Sequence, residues 1–333
     1  MPEFDARLLL HTETVTAWDC VCEGLCRGKA GDEWAPATRI SFPQQGVYVH
    51  SVGRREVVAD TNQVVIINED EPYQVRHPIP GGDATLTVGV DRATLLEITP
   101  PEYRQTRGRP ALNRSGLRID ARTQLLAAQM RQRMSRRSID RLEAESRLLQ
   151  LIRHTLGETG SHTARQGHGH TEKMADDVKL LLASDPWRRW TLAEMAGKVS
   201  VTPVYLTDAF RRVEGVPLYR YHLRMRLALA LNLLEDCDDL TTLAIDLGFA
   251  SHSHFSASFK RTYGLTPSDF QRSIGDRASQ VTSNDVDSAR VFLSRTLIPI
   301  SVISALPRRL ESTTPSGSTA QAMLPNGMAD IPA

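Results

Sequence analysis

Charge of one sign, long apolar runs and paired cysteines are what this 333-residue chain lacks, and each absence removes a class of protein. Its 40 Lys and Arg against 39 Asp and Glu leave a net charge of +1, so any hold on nucleic acid or an anionic membrane has to come from local arrangement. The apolar stretch Val291 to Leu306 is interrupted by Arg295 and Pro299, whereas a helix needs about 20 apolar residues to cross a bilayer; no membrane anchor is expected. The N-terminus, MPEFDARLLLHTE, has early acids and no basic region ahead of its three leucines, unlike a secretory signal, which leaves the cytoplasm as the expected compartment. Of the four cysteines, Cys20, Cys22 and Cys26 run as C-x-C-x-x-x-C and Cys237 stands alone. Without the C-x-x-C pairs that zinc sites favour, they read as reduced thiols at a strand edge, and neither a metal nor another cofactor is expected. His162, His168 and His170 fall in a Gly-rich stretch of linker composition.

With 41% hydrophobic and 24% charged residues the chain suits two globular domains of ordinary size. Its most informative segment is Leu240 to Arg272. Leu243, Ala244 and Leu247 recur at helical spacing, Gly248 can end that helix in a left-handed turn, and Phe249 can fill the angle between two helices. Ser251 is placed to cap a second helix on which Phe255 and Phe259 share one face while His252, Ser253, Ser256 and Ala257 look outward. Lys260 and Arg261 finish that helix, Gly264 suits its C′ position, and Thr266-Pro267 starts a short third helix carrying Phe270. The phenylalanines sit at the buried spacing and read as scaffold rather than base-stacking groups.

From Ala244 to Phe270 the chain resembles the AraC/XylS family of bacterial transcription regulators, whose signature A-x-x-x-G-F-x-S-x-S-x-F-x-x-x-F-K-x-x-x-G-x-T-P-x-x-F is met at every fixed position. Upstream, Trp190 to Leu234 repeats the design: Leu192, Met195 and Ala196 on one helix, a turn at Ser200 to Thr202, then a helix opened by Pro203, held by Leu206 and Phe210, and closed by Gly215. Pro217 to Leu234 forms one helical pattern between the two units, a spacer roughly 27 Å long. Two readers so spaced suit successive major grooves, one helical turn of about 34 Å apart.

The resemblance implies base-facing positions at Val204, Thr207 and Asp208 in the first unit and at His252, Ser253, Ser256 and Ala257 in the second, with Arg211, Arg212, Arg220, Arg224, Lys260 and Arg261 as phosphate clamps. These small and polar readers depart from the Arg- and Gln-rich sets that make bidentate base contacts, so modest discrimination per base is expected. Tyr205, His252 and His254 read equally as partly packed helix residues, and Arg224 and Arg226 as solvating residues of the spacer. Acidic and basic residues balance between Thr171 and Arg272, so binding has to rest on sidedness. Glu235, Asp236, Asp238 and Asp239 form an acidic corner expected to face away from phosphate or toward a protein, with RNA polymerase as the partner implied by resemblance.

From Ile40 to Val90 short apolar runs alternate with turn signals, the pattern of a small antiparallel barrel. Within the resemblance this is a cupin-like sensor. His50-Ser51-Val52 stands where a cupin enzyme places H-x-H, which argues against metal-dependent oxygenase chemistry. Tyr48, His50, Tyr73, Arg76 and His77 are candidates for lining an effector pocket, and equally for surface or core positions of the sheet.

Asp120 to Leu156 carries two amphipathic helices, read as a dimer surface by resemblance or as packing back onto the sheet. The expected architecture is α+β: residues 1–157 a cupin-like antiparallel β-barrel with trailing amphipathic helices, 158–170 a flexible linker, 171–273 an all-α domain of two helix-turn-helix units joined by a long helix, and 274–333 a largely disordered tail. The expected function is a sequence-specific regulator of promoter DNA, a homodimeric activator under small-molecule control and not an enzyme. The rivals are a metal-dependent cupin or a DNA-repair methyltransferase fused to the same reader, and an architectural DNA binder without sensing.

Overall fold

The computed structural model describes residues 4–25, 31–104, 112–157 and 169–275. Eight strands come first: β1 Phe4–His11, β2 Val15–Cys22, β3 Arg39–Gly46, β4 Tyr48–Val52, β5 Arg55–Ala59, β6 Gln63–Ile67, β7 Gln74–Arg76 and β8 Asp83–Val90. Helix α1 Arg92–Ile98, strand β9 Gly116–Arg118 and helices α2 Ala121–Ser135 and α3 Arg141–Gly157 follow. Helices α4 His170–Ser184, α5 Leu192–Lys198, α6 Pro203–Glu214, α7 Leu218–Leu233, α8 Leu240–Asp246, α9 His252–Tyr263 and α10 Pro267–Gly275 complete the described chain.

Two antiparallel sheets, β1-β2-β8-β3-β6-β9 and β5-β4-β7, face each other. The alternation of side chains along a strand gives the larger sheet two different faces. One carries Val15, Ala17, Ile40, Phe42, Val64, Leu86 and Val88 and packs with Leu148, Leu151 and Ile152 of α3 into the main core. The other, turned to the smaller sheet, carries Trp18, Cys20, Arg39, Ser41 and Thr87, with Arg39 over the Trp18 ring and Ser41 bonded to Thr87. The expected barrel thus gains β1, β2, β5 and β9, whose mixed polar sequences hid them.

The helical half has two cores. Met195, Leu206, Phe210 and Tyr221 join α4 to the first helix-turn-helix unit, and Leu243, Phe249, Phe255, Phe259 and Phe270 build the second. Helix α4 was not foreseen, although Met174, Ala175, Val178 and Leu182 are its buried stripe.

Both amphipathic helices pack within the chain. Helix α3 packs on the sheet, and α2 is covered on its far side by the helical half: Ala128 enters the second core, Gln132 Nε2 donates to Leu231 O at 2.7 Å, and Arg136 Nε pairs with Glu235 at 2.7 Å. A second junction is ionic. Arg118 of β9 pairs with Glu214 of α6 at 2.9 Å, Glu214 with Lys179 of α4 at 3.2 Å, and Tyr221 Oη donates to Asp60 at 2.6 Å. All of these side chains are buried or nearly so. Burial alone opposes the Lys179 charge, but Glu214, Asp176 and Asp60 more than offset it and hold the ammonium above its usual range.

Candidate nucleic-acid interface and inter-sheet cluster

Each reader helix is fixed at both ends by its own sequence. On α6, Thr202 accepts from the Tyr205 N–H at 3.2 Å, Pro203 occupies the first position, and Gly215 at φ +69° terminates the helix. On α9, Ser251 accepts from the His254 N–H at 3.1 Å and Gly264 at φ +81° ends the helix. The turns before them solve the same problem differently. The first uses Ser200 at φ +57°; the second uses Gly248 at φ +76°, where a Cβ would lie 2.2 Å from Trp187 O.

With Leu206, Ala209 and Phe210 buried, α6 presents Val204, 74% exposed, together with Asp208, Arg211 and Arg212. Thr207 is half-buried and its hydroxyl donates to Pro203 O at 2.9 Å, which leaves it an acceptor. On α9, Ser253, Ala257, Lys260 and Arg261 are exposed, whereas His252 and Ser256 are half-buried and bonded to each other at 3.2 Å. Arg220 is exposed beside Tyr219.

Arg224 differs from the other residues expected to clamp phosphate: its guanidinium donates to Ile119 O, next to β9, so in this arrangement it serves the junction between the halves. The acidic corner is divided too. Glu235 is paired with Arg136 and Asp239 caps α8, leaving Asp236 and Asp238 exposed.

Sequence spacing missed the role of Arg226. From α7 it donates to Pro186 O at 2.8 Å, Arg188 O at 2.6 Å, Trp187 O at 3.2 Å and Gly248 O at 3.4 Å. One guanidinium thereby ties the loop after α4 to the turn of the second unit. Its place on a helix face carried no sign of this, because all four acceptors are backbone carbonyls distant in sequence.

Between the sheets the chain packs a layer of polar and aromatic side chains, the inter-sheet chamber. Of the five pocket candidates, Tyr48, His50, Tyr73 and His77 gather there: the His50 and Tyr73 rings stack at 5.2 Å and the Tyr48 and His77 rings lie 6.3 Å apart. Arg76 does not join them; it stands opposite Val49 on the outer face and pairs with Glu56 at 3.0 Å. His50 is 1% exposed, and neither ring nitrogen has a hydrogen-bond partner among the described residues. Burial holds its pKa down at about 4. Nε of Arg39 is likewise buried without a partner, and burial raises the Cys20 thiol to about 11. Such unsatisfied groups are costly in a dry core and expected in a site that receives a polar ligand.

Residues 195–273 match the model of a helix-turn-helix domain, and residues 30–152 that of an AraC-like ligand binding domain. A putative AraC-like transcription regulator of Streptomyces antibioticus is 30% identical over 105 residues, covering 31% of this chain and 35% of that protein. The urease operon transcriptional activator of Escherichia coli is 33% identical over 95 residues, 28% of this chain and 32% of that one. The chain therefore spans about a third of the length of the curated relatives it matches. Among solved structures, ToxT from Vibrio cholerae O395 is 13% identical with a TM-score of 0.33, covering 84% of this chain and 99% of that one. The matched domains and relatives are those of transcription regulators, not enzymes, and lend no support to an oxygenase or a repair methyltransferase. Among the described residues no helix is long and apolar enough to cross a membrane.

Proposed function

We propose that this chain, whose domains match the AraC-like ligand binding and helix-turn-helix models, activates transcription by sequence-specific binding of promoter DNA in the cytoplasm, under control of a small molecule held between its sheets. The observation that carries this reading is the pair of capped reader helices, α6 and α9, each with a solvent-facing mixed surface ending in two basic residues. Val204, Thr207 and Asp208 of α6, and Ser253 and Ala257 of α9 with the His252–Ser256 pair at their edge, face the bases. Arg211, Arg212, Arg220, Lys260 and Arg261 hold phosphates; Arg224 joins them only if it leaves Ile119. Helix α7, 16 residues long and so about 24 Å, sets the spacing.

Residues 1–157 form the sensor and 171–273 the reader; the linker 158–170 and the tail 274–333 lie outside the described residues, apart from Gly169, His170, Ile274 and Gly275. The protein acts as a homodimer through α3, whose Leu142 is 75% exposed, since α2 is covered. Asp236 and Asp238 face RNA polymerase. The unpaired nitrogens of His50 and Arg39 support a polar effector in the chamber.

The test is a selection from random duplex DNA on the full chain at physiological salt, followed by footprinting. Two protected segments about 10 base pairs apart on one face of the duplex are expected. Recovery of no sequence preference would reject specific binding.

A further inference from the structure

Cys22 ends β2 and Asp83 begins β8 as its direct cross-strand partner, and His77 follows β7 at the same end of the chamber. One ligand atom from each of the three lies within 4.8 Å of the others. His77 Nε2 is 2.5 Å from Asp83 Oδ1, with the imidazole 1% and the carboxylate 10% exposed. From this geometry we propose that Cys22, His77 and Asp83 bind a divalent transition-metal ion of the zinc type.

The donor set suits such an ion. A thiolate, an imidazole and a carboxylate match borderline-soft metals, and three protein ligands leave a fourth tetrahedral position for water or a small ligand from the chamber. Charge balances as well. One thiolate and one carboxylate cancel the two positive charges, so the ion enters a partly buried place without net charge. Among the described residues no Lys or Arg forms an ion pair with Asp83 to compete for it.

The surroundings fix the ligands in place. Thr85 Oγ1 donates to Asp83 Oδ2 at 2.9 Å, orienting the carboxylate from its other oxygen, and the Gly24 N–H donates to Cys22 Sγ at 3.4 Å. Gly24 and Gly82, at φ +70° and +63°, let the strand ends close in. A Cβ on Gly82 would lie 2.0 Å from Cys22 O, and one on Gly24 would lie 2.7 Å from Gly82 Cα. The site also has a route to the reader domain. Ile79, two residues after His77, packs with Leu180 and Ala183 of α4 on the Val47, Val49 and Val58 cluster.

The test is a cobalt(II) titration of the chelator-treated full chain, read by absorption and followed by displacement with zinc(II). One cobalt per chain is expected, with a thiolate-to-cobalt charge-transfer band and intense tetrahedral ligand-field bands that zinc abolishes. Cys22→Ser removes the charge-transfer band, and Asp83→Asn weakens binding at least as much as Thr85→Val, which costs about tenfold or more. Cys20→Ser and a His162→Gln, His168→Gln, His170→Gln triple variant leave the spectrum intact. Circular dichroism shows which variants fold, and Asp83→Asn and Thr85→Val carry the test where Cys22→Ser does not. A folded wild-type chain without the thiolate band overturns the proposal, as does a band that survives Cys22→Ser or vanishes in the triple variant. DNA binding plays no part in the readout, so this site and the regulator reading stand or fall separately.

Discussion

Glu214→Gln is the sharpest probe of how the two halves are held. The carboxylate, 3% exposed, lies between Arg118 of β9 at 2.9 Å and Lys179 of α4 at 3.2 Å, and the amide keeps its size while removing its charge. Breaking a buried ion pair by neutralising one partner costs about 3–5 kcal/mol, because the remaining charge is left uncompensated. Here Asp176, 2.7 Å from Lys179, still balances the ammonium, which places the loss near the lower end, about 3 kcal/mol. For a chain of this size that corresponds to a fall in Tm of about 4–6 °C, measured by calorimetry on the full chain at neutral pH. Arg118→Met should cost less, since Glu214 retains Lys179. The two substitutions together should cost clearly less than their sum, as residues sharing one network do. A Glu214→Gln loss below about 0.5 kcal/mol, or strict additivity with Arg118→Met, would refute the account of a buried ionic junction.

Four further outcomes follow from other parts of the molecule. Arg211→Ala and Lys260→Ala should weaken DNA binding about equally across sequences and lower the salt slope by about one each, by fluorescence anisotropy between 50 and 200 mM salt. Gly248→Ala should destabilise by about 2 kcal/mol or more, from its left-handed φ and the 2.2 Å approach of Trp187 O. Ser200→Gly, at the corresponding turn, should change stability by less than about 1 kcal/mol in denaturant unfolding. His50 is buried neutral with a pKa lowered from 6.5 to about 4, so its contribution is fully present above pH 6.5 and lost as the pH falls toward 4. That loss amounts to about 3 kcal/mol over the window, and His50→Phe should flatten the acid limb of a stability profile; an unchanged profile would show that His50 titrates freely.

The reader helices were legible in the sequence down to single caps. Thr202, Ser251, Gly215, Gly248 and Gly264 do what their types and positions announce, because capping and left-handed turns depend on neighbours within about one helical turn. The buried phenylalanines follow for the same reason: a helix repeats every 3.6 residues whatever surrounds it. Strands β1 and β9 were missed because short or mixed polar strands take their identity from partners far along the chain.

The sequence by itself determined that two capped helix-turn-helix units are joined by a helix and preceded by a β-rich domain. Tertiary structure alone decided how side chains with no local signature are used. Arg224 is drawn to Ile119 and Arg226 to four backbone carbonyls, α2 is enclosed between sheet and helices, and Arg76 is turned out of the chamber that His50 faces. Cys22, far in the chain from the neighbouring His77 and Asp83, meets them only through the pairing of β2 with β8 and the course of the chain after β7. Caps and periodicity are short-range and so are written in order, whereas pairings across tens of residues depend on register, burial and charge compensation that exist only once the chain has folded.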